Sequence, residues 1–125
     1  MARKKILIID DEELIIKSLS KLLEKIGYEV FIAKNGQDAI IMNEEEEFDL
    51  IIADIRVPGI NGVEAVRRIY SANDKNSKGR IPAIFITGYA DENAENEAKK
   101  LNPAAYIAKP FDIPELVDKI KGILI

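Results

Sequence analysis

The sequence predicts an α/β domain built as a (βα)5 doubly wound parallel sheet of five strands in the order 2-1-3-4-5. Three observations carry that prediction. Apolar runs rich in β-branched residues recur five times, at 6–9, 30–33, 50–53, 83–86 and 105–108. At least three are continuously apolar rather than alternating, the pattern of strands covered on both faces. Segments with helical spacing separate them, and right-handed crossovers between parallel strands then leave few topologies open.

Each element has its own signal. After the first run, residues 13–26 repeat Leu19, Leu22, Leu23 and Ile26 at helical spacing, and Gly27 stands where a left-handed C-cap belongs. Residues 36–46 carry Ala39, Ile40 and Met42, ending in the acidic run 44–47, which reads as a solvated helix end poorly placed for the helix dipole. Val66, Ile69 and Tyr70 mark a helix over 63–70, and the polar stretch NDKNSKGR at 73–80 predicts a loop before the fourth strand. The segment 91–101 repeats only Ala94, Ala98 and Leu101, so it should be the least firmly packed helix. Leu116, Ile120 and Ile123 place one apolar face on a last helix over 113–123.

Composition limits the chemistry. At 125 residues one domain is expected, spanning 1–125. Eighteen basic and 22 acidic side chains give a net charge of −4, without the cationic footprint that direct nucleic-acid binding requires. The chain contains neither cysteine nor histidine. Thiolate or imidazole nucleophiles, acid-base histidines and the usual zinc ligands are therefore excluded, leaving carboxylates, hydroxyls, lysine, arginine and backbone. The apolar run after the basic start lasts four residues before Asp10, too short for a signal peptide or membrane span, so a cytoplasmic protein without membrane association is expected.

In an open parallel sheet, ligands bind beyond the carboxyl ends of the strands, near the point where the winding reverses. Here the first strand ends in Asp10 and Asp11, the third in Asp54, the fourth in Thr87 and the fifth in Lys109. Singly, each has a structural explanation. Asp10 with Glu13 can form a capping box, and Asp54 an Asx-turn into Val57-Pro58-Gly59. Thr87 is a β-favouring residue, and Lys109 a solvated strand end. Together they form a functional constellation. Clustered carboxylates about 4 Å apart repel by roughly 1 to 4 kcal/mol per pair, which a divalent cation relieves, and Mg2+ suits oxygen ligands alone. A metal, an ammonium and a hydroxyl around one aspartate are the parts needed to stabilise a phosphoryl group on it.

IDDEE, DIRVPGING, ITGYA and YIAKPFD resemble, in order and spacing, the receiver domain of two-component response regulators, from about Lys5 to Ile123. The resemblance implies a flavodoxin-like fold and a phosphorylation-dependent switch. It implies Asp54 as phosphoacceptor; Asp10, Asp11, Asp54 and the backbone carbonyl of Arg56 around Mg2+; Thr87 and Lys109 on the phosphoryl oxygens; and Tyr106 as the rotating aromatic. It also implies a cis Lys109-Pro110 bond, and a role for Arg56 and Tyr89 in tuning how long the phosphoryl group survives. The implied partners are a sensor histidine kinase or phosphotransfer protein, and a downstream effector or output domain read through the fourth helix, fifth strand and fifth helix. No separate turnover substrate is expected. Asn102-Pro103 departs from the family by replacing a common glycine before the fifth strand. Two alternatives share parts of this pattern. A haloacid dehalogenase-like Mg2+ phosphatase needs DxDxT after the first strand, where DDEEL stands. A flavodoxin-like flavin module needs hydroxyl and glycine donors there, and DDEE repels its phosphate.

Overall fold

The computed structural model describes residues 3–88 and 92–125. Strands β1 (Lys5–Ile9), β2 (Glu29–Ala33), β3 (Leu50–Asp54), β4 (Ala83–Thr87) and β5 (Ala105–Ala108) alternate with helices α1 (Glu13–Ile26), α2 (Gly36–Glu45), α3 (Gly62–Lys75), α4 (Glu92–Lys99) and α5 (Ile113–Ile123). All strand pairs are parallel, and the order is β2-β1-β3-β4-β5, as the sequence predicts.

The two-residue strand period divides the core into two layers. Ile6 and Ile8 of β1, with Leu50, Ile52, Ile84 and Ile86, pack under Leu19 and Leu23 of α1 and Leu116, Val117 and Ile120 of α5. Leu7 and Ile9, with Ile51, Ala53 and Phe85, face the other way, toward Ala39 of α2, Val66 and Ile69 of α3 and Ala98 of α4. Residues from Ile6 to Ile9 and from Leu50 to Ala53 are at most 1 % exposed, so both faces of the central strands are covered. Each buried isoleucine or leucine contributes about 1.5 to 3 kcal/mol. That burial is what leaves the strand ends as the available rim for polar chemistry.

Two caps follow from local conformation. Gly27 closes α1 at φ 120°, with its N–H on the carbonyls of Leu23 and Glu24. Asn102 takes φ 51° after α4, so asparagine performs the left-handed turn that glycine commonly makes there.

Other boundaries differ from the sequence reading. α3 continues through Ser71 to Lys75, into residues whose polarity predicts a loop. Asn73 explains it: the side chain is 2 % exposed and its Oδ1 accepts from Nδ2 of buried Asn43 at 2.9 Å, joining α3 to α2. A buried polar group is acceptable once bonded, and a lone sequence cannot reveal that partner. α2 ends at Glu45, with Glu46 as its C-cap. α4 ends at Lys99, followed by a turn through Leu101, and Asp91 at its expected start lies outside the described residues, as does Tyr89.

α4 is weakly packed, as its composition predicts. Ala98 is its single buried residue, and Ala94 packs partly against the core. The helix is also tied to α3 by Arg67, which donates to Glu97 at 2.9 Å and pairs with Glu64 of its own helix. Lys100 donates to the other carboxylate oxygen of Glu97 at 3.1 Å.

The Asn43–Asn73 bond yields a testable outcome. Asn73→Ala should destabilise the domain by roughly 1 to 3 kcal/mol in urea unfolding, because it strands the Asn43 amide. Adding Asn43→Ala should cost less than the sum of the two single changes.

Candidate functional site

Asp10 leaves β1 with its N–H on the carbonyl of Ala33 at 3.1 Å. Its Oδ1 then accepts from the N–H of Glu12 at 2.9 Å, an Asx-turn that launches α1. The alternative capping box with Glu13 does not form: Glu12 is the N-cap without a side-chain capping bond, and Glu13 pairs with Lys34.

Asp54 ends β3, and its Oδ1 accepts from the N–H of Arg56 at 3.0 Å, so the Asx-turn into Val57-Pro58-Gly59 is present. Immediately behind it, α3 begins. The N–H of Gly62 bonds the carbonyl of Ile55 at 2.9 Å, and a Cβ on Gly62 would lie 2.1 Å from the carbonyl oxygen of Asp54. Only glycine permits that approach.

Lys109 must reach past the end of β4 to meet Asp54. Its N–H is anchored on the carbonyl of Thr87 at 2.7 Å, its stem passes Gly88, and the bond to Pro110 is cis. Nζ then lies 2.7 Å from Oδ2 of Asp54, 2.5 Å from Oε1 of Glu12 and 3.8 Å from Oδ2 of Asp10. Thr87, 6 % exposed, ends β4 beside this group. Tyr106 sits half-buried on β5, in register with Phe85 and packed against the core layer that holds Ala98.

Among the described residues, the carboxylates whose oxygens lie within 4.8 Å of one another are those of Asp10, Glu12 and Asp54. The expected grouping was Asp10, Asp11 and Asp54. Asp11 instead is exposed and lines a cleft of about 440 Å3 with Arg56, Asn61 and Thr87. Successive residues in the turn after β1 thus present their carboxylates differently: Asp10 inward, Asp11 to the cleft, Glu12 back to Lys109. Glu12 is the member that the sequence reading missed. Its only signal there is membership of the DDEE run.

Burial pushes the Asp10 carboxyl up to about 6; the Glu12 N–H opposes this, Asp54 reinforces it, and Lys109 opposes it. Lys109 is affected by burial in the lowering sense, but its bonds to Asp54 and Glu12 and the charge of Asp10 outweigh that and hold its pKa above the usual lysine value. Nothing but oxygen faces this rim as an anionic donor, in a chain without histidine or cysteine. Such a donor set fits a hard divalent cation such as Mg2+.

A family profile describing the response regulator receiver domain matches residues 6–121. The chain belongs to the response regulator receiver domain family. It is 36% identical over 124 residues to sporulation initiation phosphotransferase F of Bacillus subtilis, covering 99% of this chain and 96% of that protein. It is 39% identical over 119 residues to transcriptional regulatory protein CrdR of Helicobacter pylori, covering 95% of this chain and 54% of that longer protein. Among solved structures, a CheY-like receiver domain protein from Methanospirillum hungatei JF-1 superposes with a TM-score of 0.88 at 32% identity, covering 98% of this chain and 94% of that one.

Receiver domains are phosphorylation-dependent signalling switches of two-component systems, interacting with histidine kinases or phosphotransferases, and phosphorylation on aspartate with Mg2+ is standard for them. This receiver domain is such a switch, and the phosphatase and flavin-module alternatives are unsupported. No helix among the described residues is long and apolar enough to cross a membrane.

The raised pKa of Asp10 gives a pH dependence of definite sign. Its folded value, about 6, exceeds the ordinary 3.8, so its stabilising contribution is complete below about pH 4 and is lost as pH rises through 6. Relative to Asp10→Asn, the metal-free receiver should lose about 2 to 3 kcal/mol between pH 4 and 7 in urea unfolding. Mg2+ affinity runs the opposite way, weakening as pH falls through about 6, which calorimetry at pH 5 and 7.5 measures.

Proposed function

We propose that Asp54 accepts a phosphoryl group from a phosphohistidine on a sensor histidine kinase or phosphotransfer protein. The observation that carries this reading is Lys109 Nζ held 2.7 Å from Oδ2 of the buried Asp54 carboxylate, between it and Glu12. A carboxylate oxygen of Asp54 attacks phosphorus as the N–P bond breaks, and the electron pair of that bond stays on the imidazole nitrogen. Lys109 and the hydroxyl of Thr87 take phosphoryl oxygens, with charge-assisted bonds contributing roughly 1.5 to 3 kcal/mol each. Asp10, Asp11, Asp54 and the backbone carbonyl of Arg56 would hold Mg2+, which would supply Lewis-acid neutralisation of phosphoryl charge. Arg56, on the cleft, tunes the lifetime of the acyl phosphate. The domain assists its own phosphorylation and dephosphorylation and turns over no separate substrate.

Residues 1–125 act as one receiver unit in the cytoplasm. The added charge, about −1.5 to −2, draws Thr87 toward the phosphoryl group, and Tyr106 moves into the space vacated. α4, with Ala98 as its single buried residue, yields most readily, so the α4-β5-α5 face changes and binds an effector or output domain.

Labelling with acetyl phosphate and Mg2+ should add one phosphoryl group at Asp54 by intact mass and site mapping; undiminished labelling of Asp54→Asn would refute the assignment. Asp11→Ala should bind Mg2+ more weakly than wild type by calorimetry. With beryllofluoride bound at Asp54, amide exchange across 92–106 should change, and identical protection would end the proposed coupling through Thr87 and Tyr106.

A further inference from the structure

We propose that Glu12 is a positioning residue that competes with the phosphoryl group for Lys109 and so favours the unphosphorylated state. The proposal rests on the reading of Asp54 as phosphoacceptor. An acidic residue at the start of a helix is ordinarily explained by the helix dipole. Glu12 does more than that, because its side chain makes no capping bond and turns back instead to an ammonium 97 residues away in sequence.

The arithmetic of donors gives that contact its consequence. An ammonium has three N–H donors. One lies on Glu12 at 2.5 Å and one on Asp54 at 2.7 Å, with Asp10 at 3.8 Å. When Asp54 carries a phosphoryl group, Lys109 must serve the new oxygens, whose charge of about −1.5 to −2 exceeds that of one carboxylate. Glu12 is the partner that can be given up. Its side chain is 53% exposed, against 6% for Asp54, so water can solvate it when the lysine leaves. Having lost Lys109, however, it stands as a like charge beside the phosphoryl oxygens. Both effects weigh against the phosphorylated state.

Neighbouring Glu13 supplies an internal control. It carries the same charge one residue along but pairs with Lys34 rather than Lys109. Beryllofluoride, whose fluorines stand in for phosphoryl oxygens, should be titrated at saturating Mg2+ into wild type, Glu12→Gln and Glu13→Gln. Glu12→Gln should bind roughly three- to fivefold more tightly, the scale of an exposed charge pair, and react faster with acetyl phosphate in the same proportion. Glu13→Gln should match wild type, and the melting temperature of Glu12→Gln should not fall. Unchanged or weaker beryllofluoride binding by Glu12→Gln overturns the proposal while leaving the phosphoacceptor reading intact. An equal gain in Glu13→Gln also overturns it, because net charge rather than the Lys109 contact would then be the cause. Wild type that binds no beryllofluoride at Asp54 overturns the phosphoacceptor reading and this proposal with it.

Discussion

Lys109 sits where three acidic side chains meet, and the rest of the rim is arranged around that contact. Asp10 and Asp54 are almost fully buried, and their oxygens lie within 4.8 Å of each other and of Glu12. Burial foremost, and the neighbouring Asp54 charge after it, push the Asp10 carboxyl toward holding a proton. The ammonium opposes that push from one side, while backbone N–H groups of Glu12 and Arg56 bond the two aspartates from the other. Charge is therefore balanced closely enough for the site to fold, yet incompletely enough to favour a further cation.

Sheet topology explains why these groups meet. Parallel strands bring all their carboxyl ends to one edge, and the order β2-β1-β3-β4-β5 puts the ends of β1 and β3 side by side, with β4 and β5 beyond. A lysine just after β5 has to reach past β4 to touch the end of β3. Its backbone bond to Thr87 starts that reach from a fixed point, and Gly88 offers no side chain of its own along the route. The strand interiors meanwhile bury aliphatic side chains in both layers, so their length and register are set by packing rather than by the polar groups at their ends.

How much of this was legible in the sequence depended on whether the signal was local. Apolar runs mark all five strands, and the residues at their ends name Asp10, Asp54, Thr87 and Lys109. Gly27 announced its cap because a left-handed turn demands a particular residue type. Pairings across distance were hidden. Asn73 reads as a loop residue by its polarity, and nothing local points to Asn43 opposite it. Glu12 carries no local sign of Lys109 at its tip, and which carboxylate of the DDEE run turns inward is set by φ and ψ, not by composition.

The close seating of α3 behind Asp54 has a mechanical consequence. With no room for even a methyl group between Gly62 and the carbonyl of Asp54, the backbone there is braced against a helix that buries Val63, Ala65, Val66, Ile69 and Tyr70. On the same face of the sheet, α4 is held by buried Ala98, partly buried Ala94 and an ion pair to α3. The layer is like a vice with one firmly seated jaw, α3, and one lightly seated jaw, α4.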